Sequence, residues 1–212
     1  MNYLQIKRLF DIIFSIIGII LTLPFCFIIL FLLCLSGERK LIFKQQRVGQ
    51  NGNLFWIYKI RTMQVSKNKF NNGNSLTLAE DPRVPFWGAI LRRTKIDELP
   101  QFINIFKGEL SFVGPRPLVP DGFSLYTEDI QKHLKTVKPG VTSAASLHFI
   151  NEEMFFKGKG PNEADEIYRN KIIPLKGSIE CDYISEISFL VDLKILIKTV
   201  FEVLFRIRFS ND

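Results

Sequence analysis

The adjacent carboxylates Asp97 and Glu98 are the residues of this chain best suited to chemistry. Arg92 and Lys95 lie close by in the sequence, and the pair stands at a predicted helix start; both surroundings favour an ionised carboxylate. An ionised Asp97 could attack phosphorus, as carboxylates do in enzymes that form an aspartyl phosphate. Glu98 could ligate a hard cation such as Mg²⁺ through oxygen. The pair therefore indicates phosphoryl-transfer chemistry.

An acidic dipeptide alone does not define a site, because other such pairs occur in the chain. These are Glu80-Asp81, Glu128-Asp129, Glu152-Glu153 and Asp165-Glu166. Taken by itself, Asp97 is also consistent with a plain helix cap. The basic neighbours and the predicted helix start distinguish this pair from the others.

Arg116 is the second candidate, in the segment Gly114-Pro115-Arg116-Pro117. Prolines on both sides stiffen the backbone, so the guanidinium is presented with little conformational freedom left to lose. Its fork of donors matches a phosphate or diphosphate. A rigid turn with a surface arginine is the alternative interpretation of the same residues.

Other catalytic patterns are missing from the sequence. It contains no Walker A loop, Gly-x-Gly-x-x-Gly, His-Glu-x-x-His, Gly-x-Ser-x-Gly or Asp-x-Asp motif. His133 and His148 are the two histidines, which gives little support to histidine acid–base catalysis. These absences argue against the common metal-dependent glycosyltransferase sites.

An apolar segment near the N-terminus predicts that the candidate residues act at a membrane. Residues 12–35 contain no charge, and as a helix they would reach roughly 36 Å, enough to cross a bilayer core. Basic residues flank the segment on both sides, and Pro24 lies near its middle. A helix that enters the membrane, breaks at Pro24 and returns explains both features; a spanning helix with a proline kink is the alternative.

The charge of the chain narrows its partners. Its 212 residues carry a net charge of +7, which suits anionic lipid headgroups and phosphate-bearing substrates. No helix-turn-helix, zinc finger or aromatic RNA-binding signature accompanies that charge, so nucleic acid is not expected as a partner. Three cysteines without metal-ligand spacing indicate free thiols in a reducing cytoplasm.

The remaining patterns predict the elements that position the candidate groups. Residues 41–64 predict two strands around an Asn-Gly turn, residues 66–83 an exposed loop, and residues 86–93 a helix. A further helix is expected to start at Asp97 and end at Gly108. Residues 189–209 predict an amphipathic helix in the membrane interface, with packing into a soluble core as the alternative.

Several of these segments together resemble the bacterial sugar transferases, specifically the small monotopic phosphoglycosyl transferases that act on polyprenyl phosphate. The segments are KRLFDIIFSIIGIILTLP at 7–24, FKQQRVGQNGNLFWIYKIRTM at 43–63, LRRTKIDELPQFINIFKGELSFVGPRP at 91–117, KPGVT at 138–142 and SFLVDLKILIKT at 188–199. Motifs in this order and spacing are more specific than any one of them. The resemblance covers nearly the whole chain.

The resemblance implies an α+β, mainly helical fold with a short β-hairpin. Its expected parts are a re-entrant membrane helix over 1–36 that breaks at Pro24, a cytoplasmic catalytic domain over 37–187, and an amphipathic interfacial helix over 188–212. It implies a chain at the cytoplasmic face of the bacterial inner membrane. The partners it implies are a UDP-sugar, undecaprenyl phosphate and membrane lipids, with a homodimer as a further option.

The resemblance also implies roles for individual residues. Asp97 would be the nucleophile that forms an aspartyl phosphosugar and releases UMP, and with Glu98 it would hold Mg²⁺. Phosphate or nucleotide contacts are expected from five basic residues: Lys59, Arg61, Arg92, Arg116 and Lys138.

Two departures from the family pattern limit what carries over. Leu23-Pro24 replaces the usual Ser-Pro at the membrane break, so Thr22 is the hydroxyl left to support the freed backbone. The stretch PGVTSAASLHF after Lys138 replaces PGITGWAQV, so the transferred sugar cannot be inferred. A catalytically inactive membrane scaffold and a conventional glycosyltransferase that releases UDP remain as alternatives.

Overall fold

The computed structural model describes residues 2–35, 41–63, 84–150, 152–156 and 158–208. The loop predicted at 66–83 lies outside the described residues. The prediction of a mainly helical α+β chain with a short hairpin is confirmed.

Helix α1, Tyr3–Leu35, contains the apolar segment and has Pro24 inside it. In the part of the chain that the structure describes, Tyr3–Phe31 is the one stretch long and apolar enough to cross a membrane. Only 6% of the most apolar 18-residue part of this stretch is buried, whereas a helix in a protein core would be mostly buried. The membrane path, re-entrant or spanning, stays a prediction.

The suggestion that Thr22 supports the backbone freed by Pro24 is wrong. Proline has no N–H, so the carbonyl that loses its helical partner is four residues earlier, at Ile20. The Thr22 hydroxyl instead donates to the carbonyl of Gly18, at 2.6 Å. It therefore doubles an existing helical hydrogen bond.

Polar side chains at the start of α1 fix it to the rest of the chain. Helix α3, Gln101–Lys107, ends at Gly108, and Arg8 donates to the carbonyls of Ile105 and Phe106 at 2.7 and 2.8 Å. Both carbonyls belong to the last turn of α3, where Ile105 O also accepts the Gly108 N–H at 2.9 Å, so Arg8 adds donors to the C-terminal cap of α3. Asp11 is 4% exposed and accepts from the Ser111 hydroxyl and the Phe112 N–H, both at 3.1 Å.

Strands β1, Ile42–Val48, and β2, Leu54–Ile60, form the predicted antiparallel hairpin. Asn51 and Gly52 at its turn have φ of 58° and 78°, a backbone conformation that these residue types tolerate. Phe55 and Ile57 of β2 are buried, in one core cluster with Ile105 of α3. The hairpin and α3 thus share the core on which the candidate carboxylates depend.

The predicted helix over residues 86–93 is confirmed as α2, Phe86–Arg93. The predicted helix start at Asp97 is wrong, because Asp97 lies in a 3₁₀ turn, Ile96–Glu98, and the α-helix begins at Gln101. Pro100 provides no N–H, and the first bonds run from Phe102 N to Leu99 O and from Ile103 N to Pro100 O, which is the tighter 3₁₀ pattern. The predicted end at Gly108, with φ of 86°, is confirmed.

Strand β3, Ser111–Val113, pairs in parallel with β4, Gly140–Thr142. The two backbones come very close at Gly114 and Gly140, where an added Cβ would lie well under 3.0 Å from backbone atoms of the facing segment. Gly114 donates to Thr142 O at 3.1 Å, and Gly140 donates to Pro115 O at 2.9 Å. Two glycines therefore place the Pro-Arg-Pro segment directly against β4.

The remaining helices cover this frame. They are α4, Pro120–Phe123; α5, Glu128–Leu134; α6, Ala144–His148; α7, Pro161–Ile167; α8, Ile173–Ser185; and α9, Phe189–Arg208. A π-helical turn, Tyr168–Ile172, joins α7 to α8. Gly177 of α8 faces Ile130 and Tyr126 at distances that leave no room for a side chain.

Helix α9 buries a narrow line of residues and exposes the rest. Asp192 and Ile195 are buried, whereas Leu190, Val200 and Leu204 are each more than half exposed. Asp192 forms an ion pair with Lys7 of α1 and accepts a hydrogen bond from Tyr183 at 2.7 Å. The predicted amphipathic helix is present, and its place in a membrane interface stays a prediction, as do the domain limits.

The close approach at Gly114 predicts a specific sensitivity to substitution. Gly114→Ala should lower the free energy of unfolding by about 1–3 kcal/mol, because its methyl group would overlap the Lys138 carbonyl and the Gly140 N–H. Gly122→Ala is the control, since its Cβ would meet side-chain atoms only at 3.4 Å or more. Thermal unfolding of both variants measures the difference. Equal melting temperatures would contradict the packing argument.

Candidate active site

Glu98 of the 3₁₀ turn forms an ion pair with Lys59 of β2, with 2.6 Å between Oε1 and Nζ. Both side chains are largely buried, at 12% and 20% exposure respectively. Burial alone raises the pKa of Glu98, but the charges of Lys59, Lys95 and Arg116 outweigh it and lower that pKa to about 2. Glu98 is therefore a permanently ionised, paired carboxylate.

Asp97, its neighbour, has the opposite character. The residue is 6% exposed, and its Oδ1 has no hydrogen-bond partner among the described residues. Burial and the adjacent Glu98 charge raise the pKa of Asp97 to about 6, against the lowering effect of Lys59, Lys95 and Arg92. Asp97 is thus a basic carboxylate with an oxygen that the fold leaves unsatisfied. Such a group at neutral pH is suited to act as a nucleophile or a metal ligand.

A small polar cavity adjoins the turn. Its charged and amide side chains come from four segments: Arg47 from β1, Lys59 from β2, Glu98 and Gln101 around the start of α3, and Arg116 from the turn after β3. Ile57, Pro117, Gly140 and Val141 complete the wall. An excess of cations around one carboxylate favours an anionic ligand.

Arg47 supports this wall from β1. Its guanidinium donates to the carbonyl of Pro117 at 3.1 Å and to the side chain of Gln45 at 2.6 Å. Burial and the nearby Arg116 lower the pKa of Arg47 to about 10, so it is still a cation at neutral pH. Arg47 therefore holds the Pro-Arg-Pro segment and adds positive charge to the cavity.

The structure brings the predicted site residues together unevenly. Lys59, Glu98 and Arg116 line one cavity, and Arg92 is close enough to lower the pKa of Asp97. The guanidinium of Arg61 instead lies over the ring of Phe43, 5.7 Å from its centre. Neither Arg61 nor Lys138 lines the cavity.

Lys138 lies at the other end of α3. Its Nζ is beside Arg8 and Gly108, and burial and the Arg8 charge lower its pKa, while Asp11 opposes that shift. A direct contact between Lys138 and the carboxylate pair is therefore not part of this arrangement. The backbone carbonyl of Lys138 packs against Gly114. The Lys-Pro-Gly segment therefore contacts the Pro-Arg-Pro turn through main-chain atoms.

Three residues at or around the site were missed from the sequence: Arg47, Gln101 and Glu180. Lys95 was predicted only as a basic neighbour of Asp97, without its backbone conformation. Lys95 has a positive φ of 59°, which is uncommon for a residue other than glycine and places the pair directly after a left-handed turn. Glu180 of α8 is 2% exposed and accepts from the Arg116 N–H at 3.3 Å. The sequence offered no local signal for Arg47 and Glu180, because they reach the Arg116 turn through contacts far along the chain.

The carboxylate pair offers oxygen ligands of the kind that Mg²⁺ prefers. No cluster of three or more acidic, histidine or cysteine side chains suited to a metal exists in the described ranges. Mg²⁺ is commonly held by one or two carboxylates, with water and substrate phosphates as the other ligands. The unsatisfied Oδ1 of Asp97 beside Glu98 fits that pattern.

The family model described as bacterial sugar transferase matches residues 2–206. A Bacillus subtilis protein provisionally named an undecaprenyl-phosphate N-acetylgalactosaminyl 1-phosphate transferase is 41% identical, over 66% of this chain and 73% of its own length.

Two relatives are longer than this chain. The Salmonella typhimurium undecaprenyl-phosphate galactose phosphotransferase is 37% identical, over 65% of this chain and 31% of its own length. The Escherichia coli UDP-glucose:undecaprenyl-phosphate glucose-1-phosphate transferase is 32% identical, over 93% of this chain and 40% of its own length.

The raised pKa of Asp97 predicts a measurable dependence of stability on pH. A folded-state pKa of about 6, against 3.8 in a model peptide, means that the native state binds more protons than the unfolded state between these values. Unfolding free energy should therefore fall as pH rises through this window. Asp97→Asn removes the titration, so wild type should lose about 1 kcal/mol relative to this variant between pH 5 and 7.

Denaturant unfolding at several pH values measures this difference. The lowered pKa of Glu98 has its effect below about 4.5, as pH falls towards 2. Glu180, whose pKa is raised to about 7, titrates in the same window but is present in both proteins, so the difference between wild type and Asp97→Asn reports Asp97. Asp129→Asn, at a side chain that is 90% exposed, is the control and should follow wild type at every pH. If the Asp97→Asn and wild-type curves ran parallel from pH 5 to 7, the assigned environment of Asp97 would be wrong.

Proposed function

We propose that this chain, which belongs to the bacterial sugar transferase family, transfers a sugar 1-phosphate from a UDP-sugar to undecaprenyl phosphate. The observation that carries the proposal is the buried, unsatisfied oxygen of Asp97, which does not itself line the cation-rich cavity but is adjacent in the chain to Glu98, which does. The names of the relatives above motivate the choice of acceptor, and one of them motivates the nucleotide of the donor. Such a transfer is an early membrane step in the assembly of a bacterial glycan.

The first half-reaction would use Asp97 as the nucleophile. Its ionised Oδ attacks the sugar-bearing phosphorus of the donor, and the bond from that phosphorus to the bridging diphosphate oxygen breaks. UMP leaves with the bridging oxygen, and the sugar phosphate stays on Asp97 as an acyl phosphate. A pKa of about 6 keeps Asp97 ionised in most molecules at pH 7 and makes it more basic than an ordinary aspartate.

The second half-reaction would regenerate the free carboxylate of Asp97. An oxygen of undecaprenyl phosphate attacks the same phosphorus, the bond to Asp97 breaks, and undecaprenyl diphosphate sugar forms. Arg116 and Lys59 border the cavity and offset the negative charge that accumulates when two anions approach. Because Lys59 already pairs with Glu98, Asp97 is the carboxylate left free for covalent chemistry.

Asp97 and Glu98 would also hold Mg²⁺, together with phosphate oxygens of the donor and water. When bound, the ion would supply positive charge next to the reacting phosphates. Residues of this chain would place the donor beside the ion, and the side chains of Arg116 and Lys59 would supply further positive charge. The site would face the cytoplasm at the inner membrane, with α1 and α9 in contact with lipid.

The nature of the released nucleotide tests the reaction class. The membrane fraction containing this chain is incubated with undecaprenyl phosphate and a panel of UDP-sugars, and nucleotides are assayed. UMP is the expected product, and Asp97→Asn should reduce its release by at least about 10³-fold, because no other group replaces the nucleophile. Asp129→Asn, at an exposed carboxylate, should retain activity. Release of UDP would indicate a conventional glycosyltransferase, and no release with any donor a scaffold.

Removal of divalent cations tests the metal. Treatment with EDTA should abolish UMP release, and added Mg²⁺ should restore it, because two adjacent carboxylates and a diphosphate repel one another without a cation. Mg²⁺ should also raise the thermal stability of wild type but not of an Asp97→Asn, Glu98→Gln double variant. Full activity after EDTA would exclude this role, whatever the nucleotide released.

A further inference from the structure

Three consecutive residues of the Pro-Arg-Pro turn are each held by a different element. Gly140 of β4 donates to the carbonyl of Pro115 at 2.9 Å, and Arg47 of β1 donates to the carbonyl of Pro117 at 3.1 Å. Between them, the N–H of Arg116 donates to Oε1 of Glu180 at 3.3 Å. The Arg116 side chain itself is exposed at the cavity rim, so its aim depends on these main-chain bonds.

Glu180 is an unusual member of this set. It is a carboxylate with 2% exposure, its Oε2 has no partner among the described residues, and the mechanism proposed above does not use it. A buried carboxylate costs free energy unless its bonds compensate, so a purely structural reason for it is weak. Its helix is held rigidly, because Gly177, one turn earlier, packs against Ile130 and Tyr126 without room for a side chain.

The same carboxylate also reaches the segment after β4. Burial raises the pKa of Glu180 to about 7, and interactions with the Ser143 hydroxyl and with the backbone N–H groups of Arg116 and Ala145 oppose that shift. Ser143 caps α6 by accepting from the Ser146 N–H. This segment is the one that departs from the family pattern after Lys138. Glu180 is thus close enough to the Ser143 cap for that segment to influence the carboxylate that holds the Arg116 turn.

We propose that Glu180 is a positioning residue. Its carboxylate accepts the Arg116 N–H and so fixes the turn that aims the Arg116 guanidinium at the donor diphosphate. The same carboxylate keeps this turn aligned with the segment at Ser143. The role of Arg116 towards the donor rests on the proposed function. Glu180 does not touch the reacting atoms. It acts through the turn, as a supporting residue that orients a binding group.

Kinetics of Glu180 variants test this role. Glu180→Ala should lower kcat/KM for the UDP-sugar by about 10²-fold, mainly through a higher KM for the donor, with the KM for undecaprenyl phosphate unchanged. Glu180→Gln keeps an acceptor oxygen at the same place and should stay within about 3-fold of wild type. Ile173→Val, at a buried residue of the same helix, controls for a general loss of packing. Loss in both Glu180 variants, or in neither, would overturn the proposal.

A double-mutant cycle separates positioning from plain stabilisation. If Glu180 acts through Arg116, then Glu180→Ala should have little further effect on kcat/KM in an Arg116→Ala background. Additive losses would show that the two residues act independently and would refute the proposal.

Amide hydrogen exchange provides a readout that needs no activity. The Arg116 N–H should exchange faster in Glu180→Ala than in wild type, and at the wild-type rate in Glu180→Gln and Ile173→Val. An unchanged rate in Glu180→Ala would overturn the inference even if UMP release were observed. Absence of UMP release from wild type would instead refute the proposed function, and the exchange rates would still decide whether Glu180 holds the turn.

Discussion

Adjacent carboxylates that are both largely buried repel each other, and the structure resolves this conflict by treating them unequally. Lys59 pairs with Glu98 and keeps it ionised, whereas Asp97 has a free oxygen and a pKa raised to about 6. The ion pair with this strand residue therefore distinguishes the two carboxylates, because Glu98 is paired and Asp97 keeps a free oxygen. Lys95 has a left-handed backbone conformation, and together with the 3₁₀ turn it sets the positions of the Asp97 and Glu98 side chains. The core shared by the hairpin and α3 keeps Lys59 in reach.

Helix α3 connects this pair to the membrane segment. The pair precedes its first turn, and Arg8 of α1 caps its last carbonyls. Seven residues of helix span about 10 Å, so the polar start of α1 and the candidate nucleophile lie at opposite ends of one short rigid element. For an acceptor whose phosphate lies at the membrane surface, this distance matters, because the lipid tail must remain in the bilayer while its phosphate reaches Asp97. The cap at Arg8 therefore has a bearing on chemistry as well as on stability.

The accuracy of the sequence predictions follows the range of the interactions involved. The hairpin was predictable, because Asn51 and Gly52 adopt positive φ at a tight turn, and Gly108 marked a helix end for the same reason. The predicted helix start at Asp97 was wrong, although that prediction also used a local signal. Ile96–Glu98 forms a 3₁₀ turn, and the α-helix begins only after Pro100. Arg47 and Glu180 reach the Arg116 turn across 70 and 64 residues, and no local spacing encodes such contacts. Lys138 was placed by its motif alone, and its side chain lies elsewhere.

The position of α9 extends the same argument to the second apolar helix. Asp192 is buried, pairs with Lys7 of α1 and accepts from Tyr183 at the end of α8. An unpaired buried carboxylate would be costly, so this contact fixes α9 against α1 and α8 at one place. The exposed apolar residues of α9 then have to face lipid or another apolar surface, as those of α1 do, and both helices leave from the same polar junction. The junction of Lys7, Arg8 and Asp11 with their partners therefore sets how the two exposed apolar helices are held against the rest of the chain.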